Sequence, residues 1–69
     1  MDHSLRGYLG RRTTEELYYT LDTYLEGAVT DLHRDIITII LDILHKRKAT
    51  PPAELPPEFK RYWDHLNDR

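Results

Sequence analysis

The stretch from Leu32 to Leu44, Leu-His-Arg-Asp-Ile-Ile-Thr-Ile-Ile-Leu-Asp-Ile-Leu, constrains the fold of this chain more than any other. Counted from just before it, the recurring polar positions are Asp31, Asp35, Thr38, Asp42 and His45. Their steps alternate between four and three residues, which gathers them into one narrow stripe of a helix. Nearly everything else is Leu or Ile. A surface helix needs an apolar arc of only about 100°, and this segment exceeds it. One neighbouring helix does not cover so wide a face. A second helical partner is implied, from this chain or from another.

The β-branched Ile-Ile pairs raise the alternative of a strand. Strict alternation is absent, and the stretch is longer than a typical strand of about five or six residues. The ends read as helix. Thr30 and Asp31 are good N-cap residues. Asp31 and Asp35 place negative charge near the start, and His45, Lys46, Arg47 and Lys48 place positive charge at the end, as the helix dipole favours. The pattern predicts a helix over residues 31–48, about 27 Å long.

Sixty-nine residues make one small domain at most. A chain of this size is marginal on its own core and leans on staples, oligomerisation or very good helix packing. It has no cysteine, which removes disulfides, thiolate metal sites and cysteine nucleophiles together and fits a cytoplasmic protein. Met1 to Leu9 lacks the apolar core of a secretory leader. No apolar run approaches the roughly 18 residues of a membrane span, and the acidic stripe of the central helix suits anionic lipid surfaces poorly.

Along the chain, residues 1–12 hold Gly7 and Gly10 and little periodicity, so a mobile lead-in is expected, with Tyr8 and Leu9 able to touch the body. Thr13-Thr14-Glu15-Glu16 matches a capping box ahead of an apolar run. Leu17, Leu21, Tyr24 and Ala28 follow at helical steps, flanked by Tyr18, Leu25 and Val29, with Asp22 and Glu26 on the far side. This predicts an amphipathic helix over residues 14–28, with Gly27 allowing termination or close approach. The short link to the next helix implies an antiparallel hairpin over residues 13–48. Residues 49–57 contain two Pro-Pro pairs and read as a semi-rigid spacer. Pro57 suits the first position of a helix, and Phe59, Tyr62, Trp63 and Leu66 form one stripe, so a short helix over about 57–67 is expected in the amphipathic segment 58–69.

Catalytic and metal chemistry find little to stand on. His33 and His45 are more than three turns apart on one helix, and His3 and His65 lie in the terminal segments. None has metal-ligand spacing. A catalytic carboxylate pair needs a desolvating cleft, and Asp31, Asp35 and Asp42 read more simply as a solvated face. Ser4 is the one serine, and no phosphate-binding glycine loop is present. No enzymatic activity, cofactor or metal is expected. The basic cluster Lys46-Arg47-Lys48 is explained as a helix C-terminus, though with the N-terminal arginines it leaves a nucleic-acid-associated protein as a third class.

The informative feature is surplus apolar surface: Leu32, Ile36, Ile37, Ile39, Ile40, Ile43 and Leu44 cannot all face one helix. Either two copies pair into a bundle or one edge serves a different protein. Phe59, Trp63 and Leu66 have the spacing of three anchors inserted into a groove, or else they cap the chain's own core.

Tyr24-Leu25, then Leu32-His33-Arg34-Asp35-Ile36-Ile37, then Ile40 and the basic Lys46-Arg47 resemble the sporulation checkpoint inhibitor family Sda, over Thr23 to Arg47 without gaps. Members of that family are small antiparallel helical hairpins that bind a sensor histidine kinase and block its autophosphorylation. The resemblance implies that Leu32 and Ile36 are exposed apolar contacts to the kinase, beside Tyr24 and Leu25, with Arg34 and Asp35 as polar neighbours. The expectation is therefore an all-α chain, an antiparallel hairpin with a short C-terminal helix, self-associating into a bundle. It acts as a non-catalytic protein-binding regulator, with kinase inhibition as the specific form. A structural homodimer with no other target is the alternative.

Overall fold

The computed structural model describes residues 5–27 and 30–68. All regular structure among them is helical: α1 Leu5–Gly10, α2 Thr14–Glu26, α3 Asp31–Lys46 and α4 Pro57–Asn67.

The capping signals act where the sequence places them. At the start of α2 the Glu16 N–H donates to Thr13 Oγ1 at 3.1 Å, and the Thr13 N–H donates back to Glu16 Oε1 at 3.0 Å. Thr30 caps α3 by accepting from the His33 N–H at 3.2 Å. α2 stops at Glu26, with Gly27 extended at its C-cap (φ −107°, ψ −170°). Of the two roles expected for Gly27 this is termination, because a Cβ there would meet nothing within 4 Å. Ala28 and Val29, placed by periodicity on the same helix, lie outside the described residues.

α3 is two residues shorter than its pattern. Lys48 turns into the left-handed region at φ 59°. Its N–H donates to His45 O at 3.0 Å, and the Ala49 N–H reaches back to Leu44 O at 2.9 Å. That pair of bonds closes the last turn as a Schellman motif. Ala49 then packs against the core, as does Leu55 at the far end of the proline segment. The Tyr18 hydroxyl holds the segment's start by donating to the Thr50 carbonyl.

α3 is the hub, with α1, α2 and α4 all packing on it. Ile37, Ile40, Leu41 and Leu44 are fully buried there with Leu17 and Leu21 of α2. Phe59, Trp63 and Leu66 of α4 are buried too. These were candidate anchors for a partner's groove, and they fill their own chain's core instead. Burying each such side chain is worth about 1.5–3 kcal/mol, which a solvated 11-residue helix would forgo. Three helices of the same chain thus take up the wide apolar arc of α3.

The lead-in also differs from its expectation, since α1 occupies residues 5–10 of it. Six residues with two glycines do not hold a helix alone. Tertiary contacts do so: Leu9 is buried, Arg6 pairs with Asp42 at 3.1 Å, and the Gly10 carbonyl accepts from Arg47 at 3.0 Å. The polar stripe of α3 is correspondingly divided. Asp31 and Asp35 face solvent. Asp42, expected on a solvated face, accepts from both Arg6 of α1 and Tyr62 of α4. His45 Nε2 lies 2.8 Å from Asn67 Oδ1, and the ring meets Trp63 edge-on at 5.3 Å.

Candidate protein-binding surface

The residues singled out from sequence separate into three groups. Leu32 and Asp35 are exposed at the start of α3, Leu32 by 60 %. Arg34 is exposed as well, but it points to α4 and pairs with Glu58 at 3.1 Å, a surface ion pair worth about 0–1 kcal/mol. Tyr24 and Leu25 are half-buried against the core, with the Tyr24 and His33 rings 4.8 Å apart and tilted by 59°. Ile36 is only 7 % exposed and belongs to the core. It is not on the exposed edge that the resemblance implies, because α1 packs on α3 as a neighbour beyond α2 and the C-terminal helix.

α1 and α2 both rest on α3 but touch one another little. Between them lies an open hollow of about 470 Å³. Ile36 and the buried Leu9 form its floor, and Leu5, Tyr8, Tyr19, Thr20 and Tyr24 line its sides. Tyr8 is 55 % and Tyr19 75 % exposed. Leu32 sits one helical turn before Ile36, so it extends the same side of α3 into solvent. Leu5, Tyr8 and Tyr19 carry no local pattern that marks them as one surface. Tyr8 lies in a segment without helical periodicity, and Tyr19 lies beside Tyr18 on the solvent side of α2. The available signal was a large aromatic at a position the amphipathic pattern gives to solvent.

The rim is charged. Glu15 and Glu16 stand on the α2 side and Arg12 on the turn between α1 and α2. The Arg12 guanidinium lies over the Tyr8 ring, 4.7 Å from its centroid, donates to the Tyr8 hydroxyl, and approaches Glu16 at 3.6 Å. The Tyr8 hydrogen bond holds the Arg12 pKa above its ordinary value. The Glu16 carboxyl is held below its ordinary value, first by the Thr13 backbone N–H, then by the Thr13 hydroxyl and the Arg12 charge.

Among the described residues no polar or charged residue is buried, and no three His, Asp or Glu side chains converge as metal ligands. No helix of the described residues is long and apolar enough to cross a membrane. The hollow presents an apolar floor, aromatic walls and a charged rim. Compared with known proteins, the chain matches no family model, no curated protein and no solved structure.

Proposed function

We propose that this chain is a non-catalytic regulator that acts by binding another protein. The observation that carries the reading is the hollow between α1 and α2, with exposed Leu5, Tyr8 and Tyr19 around a floor of Leu9 and Ile36. Exposed apolar residues gathered around one concavity mark binding sites, whereas scattered ones are ordinary. The cysteine-free composition accords with a cytoplasmic place of work.

The specific form is inhibition of a sensor histidine kinase, which rests on the resemblance of Thr23–Arg47 to the Sda family. An antiparallel pairing of α2 and α3 is supported by contacts at both ends: Tyr24 with His33, and Arg47 with Thr14 Oγ1 at 3.2 Å. Of the residues carried over from the family, Leu32, Arg34 and Asp35 are exposed, Arg34 while paired with Glu58. Leu32 would pack on the kinase helices and obstruct delivery of phosphate to the kinase histidine. The test is autophosphorylation of a sporulation-type kinase with this protein and with Leu32→Asp, both checked for helicity. Inhibition that the substitution abolishes supports the reading. A folded protein that never inhibits overturns the kinase target.

Self-association through the same exposed apolar residues is the second reading. It requires a mass that rises with concentration in light scattering, and a constant monomer mass removes it.

A further inference from the structure

We infer that the hollow between α1 and α2 receives a cationic amphipathic helix, with an arginine of that helix stacked on the tyrosine wall. The inference rests on the protein-binding reading and names the chemistry of the partner.

The backbone decides the form of the partner. Among the described residues the hollow is walled and floored by helices, so it offers no strand edge for an extended peptide to pair with. Recognition must come from side chains. A helix laid in a groove presents anchors at i, i+3 or i+4, and i+7. The apolar floor of Leu9 and Ile36 calls for apolar anchors.

The rim decides the charge. Glu15 and Glu16 border the hollow against Arg12, two carboxylates to one guanidinium in its described lining. Beyond Ile36, exposed Leu32 is flanked by exposed Asp31 and Asp35. Among the described residues Arg12 is the one cation in the lining, and it already shows what the wall accepts. Its guanidinium stacks on Tyr8 and pairs with Glu16. Arg12 thus occupies, from within the chain, the place an incoming arginine would take. Tyr19, 75 % exposed, offers a second ring face. Cation–π contacts favour arginine over lysine.

The probe is an amphipathic peptide of about 18 residues, Leu on one face and Arg on the other, long enough to be helical. Its counterpart carries Glu in place of every Arg. Both are titrated into the full chain, labelled for amide NMR. The expected result is saturable shifts confined to residues around Tyr8, Leu9, Tyr19 and Ile36 with the arginine peptide and none with the glutamate peptide. Binding should weaken as salt rises from about 0.1 M to about 1 M, where the screening length falls from about 10 Å to about 3 Å. Tyr19→Ser and Glu15→Lys, both at exposed positions outside the capping bonds, should each weaken binding by about two- to fivefold with helicity unchanged. Arg12→Ala should strengthen it, because the internal competitor is gone. Equal binding of the glutamate peptide, or shifts mapping away from the hollow, overturns the cationic partner while leaving a protein-binding hollow in place. Saturation of the hollow by a second copy of this chain, seen as concentration-dependent shifts without peptide, also overturns it. Failure of both peptides to perturb the folded chain removes the binding hollow itself.

Discussion

Thr13 and Glu16 show how much one local pair contributes. Their reciprocal bonds satisfy two backbone-terminal groups of α2, and Thr13→Ala should lower stability by about 1 kcal/mol in urea unfolding. The pair also sets a direction of pH dependence. The Glu16 carboxyl is depressed in the folded chain, mainly by the Thr13 N–H. Its contribution is therefore complete above the unfolded carboxylate pKa, about 4.3, and is lost as pH falls through the lower folded value. Amide exchange in the first turn of α2 should speed up over that acidic window, and Thr13→Ala should flatten the effect. Ile36 and Leu32, four residues apart, separate core from surface. Ile36→Asp places an unpaired charge in the core and should abolish cooperative unfolding. Leu32→Asp should change stability by no more than about 0.5 kcal/mol. Similar helicity loss in both variants would contradict this division.

At the scale of the element, each helix end has its own cause. Thr30 and Thr13 supply side-chain caps, Pro57 supplies a preset first residue, and α3 ends because Lys48 is left-handed. A lysine pays a steric penalty at positive φ that glycine does not. Lys48→Gly should therefore raise stability by roughly 0.5–1 kcal/mol, since the Schellman bonds to His45 and Leu44 remain. A loss of stability in thermal unfolding would mean that the Lys48 side chain has a role its exposure does not suggest. α1 has no comparable local cause. Its six residues are helical because Leu9, Arg6 and Gly10 are each held by α3 or the turn beyond it.

The whole molecule is organised around α3, and Asp42 joins two of its neighbours there. One carboxylate oxygen takes Arg6 at 3.1 Å and the other takes the Tyr62 hydroxyl, so α1 and α4 are fastened at the same residue. Asp42→Ala should cost about 1–3 kcal/mol, because the hydrogen bonds are charge-assisted and the site is half-buried. Amide exchange should then accelerate in α1 and α4 together while α2 stays protected. Acceleration in one helix alone would show that the joint is not shared. The same arrangement leaves α1 and α2 apart, and the candidate binding hollow is the space between them.

The sequence by itself determined three of the four helices. Caps, prolines and apolar periodicity are local, so α2, α3 and α4 were legible to within about two residues. It also determined that α3 needed more than one neighbour, because the width of an apolar arc is a property of one helix. What covers that arc was decided only in the tertiary structure. Periodicity states which face is apolar and not which segment meets it. That is why the pattern alone leaves Ile36 at an edge, Asp42 on a solvated face, and Phe59, Trp63 and Leu66 open between partner and core. α1 was illegible for the same reason in stronger form: its helix exists through contacts with residues more than thirty positions away. Leu5, Tyr8 and Tyr19 could not be recognised as one surface until α3 had brought α1 and α2 side by side.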